Sequence, residues 1–188
     1  MVLKFFGGLL LSAMCVGPAQ AGTIVDKAVA VEEAIDRGDT LAAVTLMRSA
    51  FLEARQNLPV AIARLAYVTD TVGPLGRPEE RGSHVFSSGE TLRLFVEPQG
   101  LDLVFADGQY SVDYVISAQV QLSDGTPIMN NDRFGEMKIK SRGTDPGSYA
   151  NLKLDLTDAR AGNYTFLVKI SDQIGKDEAT AALPFVVR

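Results

Sequence analysis

The stretch LTDARAGNYTFLVKI, residues 156–170, decides the fold. It joins a turn signal, Asp158-x-x-x-Gly162, to a tyrosine, Tyr164, and then to the strand-forming run Thr165-Phe166-Leu167-Val168. A tyrosine just after such a turn is where a β-sandwich builds a tyrosine corner, with the ring in the core and the hydroxyl bonded back to upstream backbone. Two residues on, where a bridged sandwich carries a cysteine, this chain has Phe166. Side chains two apart on a strand share a face, so Phe166 points inward with Tyr164 and fills the space a disulfide would take. Both residues read as structural.

Working outward, residues 84–188 keep a period of two. Leu92, Leu94 and Val96 alternate with Arg93 and Phe95. Val112, Tyr114, Ile116, Ala118, Val120 and Leu122 alternate with a mostly polar set, and Asp124-Gly125 marks a turn. Met137 and Ile139 alternate with Glu136, Lys138 and Lys140; Leu152, Leu154 and Leu156 alternate with Lys153 and Asp155. Pro184 places the last strand at an edge or a bulge. About seven short strands, each with one apolar face, make an antiparallel immunoglobulin-like sandwich.

Upstream the period changes. Ile24, Ala28, Val31 and Ile35 repeat at helical spacing, Gly38 fits a C-terminal cap, and Asp39 or Thr40 caps a second helix over residues 41–56. Asn57, Pro59 and the Leu58, Ile62, Leu65 stripe predict a third. Residues 22–70 are thus expected to be a small helical segment of about three helices. Residues 71–83, with Gly73, Pro74, Gly76, Pro78 and Gly82, are expected to be the linker before a sandwich domain at 84–188.

Residues 1–21 read as a signal peptide. Lys4 precedes a short apolar run over residues 5–16, and Ala19-Gln20-Ala21 is a cleavage site. The run is too short to span a bilayer and is broken by Gly17-Pro18, so no transmembrane span is expected after cleavage. Cleavage also removes Cys15, the single cysteine, and leaves neither disulfide nor thiolate. The net charge of −5 argues against nucleic-acid binding, which needs a basic footprint. The expected location is periplasmic or secreted.

The segments EERGSHVFSSGE, LFVEPQG, DGTPI, SRG, RAGNYTFLVKISD and LPFVV resemble a group of uncharacterised exported bacterial proteins with a signal peptide, a short helical region and a C-terminal immunoglobulin-like sandwich. Arg81, Phe86, Gly89, Glu90, Glu97, Pro98, Gly100, Pro184 and Phe185 carry the match over residues 40–188. Where that group has an aromatic ahead of the arginine, this chain has Pro78-Glu79-Glu80. The resemblance implies export and the sandwich, and no activity.

Residue sets for catalysis are sparse. His84 is the single histidine and lies at a strand start, outside any G-x-S-x-G elbow. Asp102, Asp107 and Asp113, and separately Asn130, Asn131 and Asp132, read as turn residues rather than calcium ligands, for the EF-hand spacing is absent. No cofactor or metal is expected. Lys138, Lys140 and Arg142 share one strand face, where charge deters sheet-to-sheet pairing or forms a small basic patch for an acidic partner. The expectation is a non-enzymatic exported interaction module. Its face or edge would bind a protein partner of the cell envelope, with Arg81, Glu90, Glu97, Lys138, Lys140 and Arg142 as candidate contacts. A small-molecule or glycan binder using Tyr110 and Tyr149, and a hydrolase using carboxylates or His84, are the alternatives.

Overall fold

The computed structural model describes residues 23–73, 77–143 and 147–188. The signal-peptide reading of residues 1–21 lies outside these, as do Asp145 and Pro146 of the loop after Arg142. No helix among the described residues is long and apolar enough to cross a membrane.

The chain divides into two units, the first ending at Ala50 and the second running from Phe51 to Arg188. In the first, α1 spans Thr23–Asp36 and is followed by α2, Thr40–Gln56, whose last turns belong to the second unit. Gly38 ends α1 at φ 70°, and the Asp39 N–H reaches back to the Ala34 carbonyl at 2.9 Å. This is a glycine C-terminal cap. Asp39 Oδ1 then accepts the Ala42 N–H at 3.0 Å and caps α2. The covered face of α1 is centred on Ala34, while Ile24, Val25, Val29 and Ile35 stay exposed.

The expected third helix is a strand. β1 spans Ala61–Tyr67, and Asn57, instead of starting a helix, closes α2 by donating Nδ2 to the Glu53 carbonyl at 2.8 Å. The run AIARLAY is short enough to satisfy either period, and pairing against a neighbouring strand from Ala61↔Gln99 to Tyr67↔Leu94 decides it. The sandwich therefore begins before residue 71. The expected linker at 71–83 lies inside the sandwich unit rather than ahead of it.

The remaining strands are β2 Val85–Phe86, β3 Thr91–Gln99, β4 Val104–Ala106, β5 Gln109–Leu122, β6 Pro127–Ser141, β7 Ala150–Asp155, β8 Gly162–Asp172 and β9 Glu178–Val187. One sheet has the order β1-β3-β7. The other has the order β2-β9-β8-β5-β4, with β6 also paired to β5. All pairings are antiparallel except β2 with β9. Two antiparallel sheets with these crossovers make an immunoglobulin-like sandwich.

The core lies between the sheets. Leu92, Leu94 and Val96 of β3 meet Val112, Tyr114 and Ile116 of β5 and Phe166, Val168 and Ile170 of β8, all at most 1% exposed. The alternation read from the sequence is the one observed. At the start of β8, Tyr164 Oη donates to the Arg160 carbonyl at 2.6 Å, closing the tyrosine corner. Phe166 is fully buried and meets Phe134 edge-on at 6.4 Å between centroids. Pro184 sits opposite Thr165. The N–H groups of Val186 and Arg188 turn toward β2, and β2 is too short to reach residue 184, so the ring of Pro184 interrupts no ladder.

Candidate functional site

Four of the residues that carry the sequence resemblance, Arg81, Phe86, Glu90 and Phe185, form a clamp. Arg81 ion-pairs with Glu90, donates Nη2 to the Val85 carbonyl at 2.8 Å, and lays its guanidinium 4.3 Å from the Phe86 ring centroid. Glu90 also accepts the Ser87 N–H at 2.9 Å. The Arg81 hydrogen bond, followed by that of Ser87, holds the Glu90 carboxyl below its usual pKa. Phe86 packs on Tyr67 at 5.2 Å and on Phe185 at 6.0 Å. Arg81 and Glu90 thus fasten the 81–90 loop to the aromatic end of the core. His84, next to this clamp, is exposed, and its carbonyl accepts the Val186 N–H.

Glu97 stands elsewhere, on the outward face of β3 and opposite Arg64 of β1. That face is not bare. Phe95 points outward yet is 5% exposed, because Tyr149 stacks on it at 5.4 Å and Val68 and Val72 pack beside it. Asn151 of β7 holds the overlying segment by both its amide atoms. Oδ1 accepts the Val72 N–H at 3.0 Å and Nδ2 donates to the Val72 carbonyl at 2.9 Å. Next to this layer a groove of about 990 Å³ opens, within the sandwich unit. It is bounded by the last turns of α2, the start of β1, Arg77-Pro78 and residues 147–149. Gly100 makes one wall possible. Its φ is 76°, and a Cβ there would meet the Pro59 carbonyl oxygen.

Lys138, Lys140 and Arg142 lie at the opposite edge. Lys138 and Lys140 are on the solvent face of β6, and Lys138 Nζ reaches Asp113 Oδ2 across the strands at 3.0 Å. β6 pairs with β5 on one side, and its other edge meets no strand among the described residues. β7 is likewise terminal in its sheet. Between these two edges a cleft of about 710 Å³ exposes the side of the core: Ile116, Phe134, Met137, Ile139, Ala150 and Leu152. Near Gly135 the register of β6 shifts against Ile116–Ala118, with Ser117 Oγ donating to the Asp132 carbonyl at 2.8 Å. This bulge bends the edge.

The six candidate contacts thus occupy three places: the clamp, the groove wall and the β6 edge. No group of three His, Cys, Asp or Glu residues capable of holding a metal occurs among the described residues. Asp172, 3% exposed, is bound to backbone: it accepts the N–H of Asp102 at 2.7 Å and that of Ile174 at 2.7 Å. Tyr110 packs against Phe105 with the rings tilted by 47° and 4.8 Å between centroids, on the β4–β5 hairpin. The groove and the cleft left no direct mark in the sequence, because both depend on β1 and β7 being neighbours of β3.

No family model and no curated protein matches the chain. Solved structures do. A PKD domain of an M14-like peptidase from Thermoplasmatales archaeon SCGC AB-540-F20 is similar at 14% identity, covering 70% of this chain and 97% of that one, with a TM-score of 0.38. An immunoglobulin-like protein from Pseudomonas aeruginosa is similar at 16% identity, with 70% and 98% covered and a TM-score of 0.32. A conjugative transposon lipoprotein from Bacteroides eggerthii DSM 20697 is similar at 12% identity, with 69% and 98% covered and a TM-score of 0.30. At these scores the strand order and register carry the fold assignment.

Proposed function

We propose that this protein is an exported, non-enzymatic interaction module that receives an extended segment of a protein partner along the free edge of β6. The observation that carries this reading is the pair of terminal strands, β6 and β7, flanking a cleft lined by core side chains. An added strand satisfies the outward N–H and C=O groups of β6 by main-chain hydrogen bonds, and its alternate side chains enter the cleft. Lys138 and Lys140 set the other face. Opposite-charge cross-strand pairs favour acidic residues on the outward positions of the partner. The same lysines oppose pairing of two copies edge to edge. The partner segment therefore alternates apolar and acidic residues. Export to the periplasm or beyond follows from the signal-peptide reading. The non-enzymatic part of this reading rests on the sparse residue sets of the sequence, with His84 exposed just before β2.

A photoreactive residue placed at Lys140 tests this in intact cells. One discrete adduct is expected, mapped by mass spectrometry to an extended acidic-apolar segment of another protein. In the probe-bearing chain the charge reversal Lys138→Glu should abolish it, and the same probe at Lys176 should give none. An adduct that survives the charge reversal, or none above background, sinks the reading.

A further inference from the structure

We propose that the groove on the outer face of the β1-β3-β7 sheet is a second binding site, and that its ligand is an organic anion with an apolar body and a carboxylate or phosphate head. The charge of the walls makes the first argument. Arg55, Arg64 and Arg77 line the groove against two carboxylates, Glu97 in its wall and Glu80 paired to Arg64, in a chain whose net charge is −5. Such a concentration of guanidinium in an acidic protein selects anions, and the planar fork of arginine matches carboxylate and phosphate oxygens. Two of the three are fixed in place. Arg55 Nε donates to the Leu101 carbonyl at 2.9 Å, and Arg64 pairs with Glu80 while lying 5.9 Å from the Phe95 ring centroid. Arg77 is exposed and makes no ion pair among the described residues.

Ser148 makes the second argument. Ser148 lines the groove, and its Oγ is buried with no hydrogen-bond partner among the described residues. A buried hydroxyl without a partner is costly, and a rotamer change that turns it toward a ligand oxygen in the groove relieves that cost. The rest of the lining is mostly apolar, with the Phe95–Tyr149 stack as its floor and Leu58, 59% exposed, at its rim. A volume of about 990 Å³ is at the upper end of small-ligand pockets and accommodates an acyl chain or a fused ring system. Mixed apolar and cationic walls reject a bare inorganic anion and a cationic amphiphile alike. The site lies on the sheet face and takes no residue from β6, although Gly147 and Tyr149 line both it and the cleft.

Isothermal titration of the full chain with four probes tests the proposal: dodecanoate, dodecyl phosphate, dodecyltrimethylammonium and inorganic phosphate. Binding of dodecanoate, dodecyl phosphate or both is expected, and a preference between the two identifies the head group. Arg77→Glu and Leu58→Asp, both at exposed positions, should each weaken that binding about tenfold or more, a change of roughly 1.4 kcal/mol. Circular dichroism confirms that they fold. Lys138→Glu should leave it unchanged, which separates this site from the β6 edge. The proposal fails if neither anionic amphiphile binds. It also fails if the cation or inorganic phosphate binds as tightly, or if the Arg77 and Leu58 variants retain full affinity.

Discussion

The carboxylate of Asp172, buried at the end of β8, accepts the backbone N–H of Asp102 at 2.7 Å and so ties the β3–β4 connection to the β8–β9 turn. The same side chain takes the N–H groups of Ile174 and Gly175 at 2.7 and 3.3 Å. Replacing Asp172 by Ala strips partners from backbone donors in both segments. The expected loss is about 2–3 kcal/mol, read as a lowered denaturation midpoint with unchanged slope. A variant as stable as the parent would show that these bonds are dispensable.

Asp102 and Glu90 titrate in opposite senses. Burial raises the Asp102 pKa, and the carboxylates of Asp172 and Asp177 push it the same way, against a smaller opposing effect of Arg55. A group raised in the folded state contributes stability that is full below its unfolded pKa and lost as pH rises through the folded one. Ionised Asp102 therefore costs stability at neutral pH. Asp102→Asn should raise the melting temperature at pH 7, and the gain should vanish as the pH falls below about 4.

Glu90 behaves conversely. Its pKa is lowered by the Arg81 hydrogen bond first and the Ser87 N–H second. Its contribution is full above the ordinary carboxylate pKa and is lost as pH falls through the folded value. Glu90→Gln should lower the melting temperature at pH 7 and flatten its decline on acidification. An acid limb as steep as the parent's would show that other carboxylates dominate it.

Two buried tyrosines should answer the same substitution with opposite signs. Tyr164 donates its hydroxyl to Arg160, so Tyr164→Phe removes a bond worth about 1 kcal/mol. Tyr114 is fully buried, and its hydroxyl has no partner among the described residues. Tyr114→Phe should stabilise by about 1 kcal/mol, because a buried unbonded hydroxyl costs more than it returns. Equilibrium unfolding of the two variants side by side decides this. Equal effects would mean that the hydroxyls are equivalent.

Gly100→Ala should destabilise by roughly 1–3 kcal/mol, through positive φ and contact with Pro59 backbone. Gly89→Ala, with φ 82° and open space around its Cβ, should cost less, since only conformation opposes it. A reversal of that order would locate the constraint outside the close approach.

Both sheets were legible wherever one face is buried and the other wet. The inward sets of β3, β5, β7 and β8 follow from alternation alone, and the tyrosine corner from one turn and its spacing. β1 was not legible. Leu58, Ile62 and Leu65 satisfy a helical stripe as well as residues 61–67 satisfy a strand, and the arbiter is β3, more than twenty-five positions away in the chain. The Gly- and Pro-rich segment after it looked like a linker because its described residues hold to the sheet by scattered ties without period: Asn151 to Val72, Arg64 to Glu80, and the Val68↔Glu80 bridge. Arg81 and Glu90 were legible as candidate contacts, but one sequence does not tell a clamp from a contact.

Phe166 stands where a bridged domain has sulfur, and this changes how the domain can be made and unmade. A core closed by ring contacts needs neither an oxidant to form nor an isomerase to correct. Its opening and reclosing are physical steps, on the timescale of strand pairing rather than of thiol exchange. The same polypeptide can therefore reach its native state on either side of a redox boundary. The partner strand proposed for the β6 edge would also find no covalent link holding the two sheets in register.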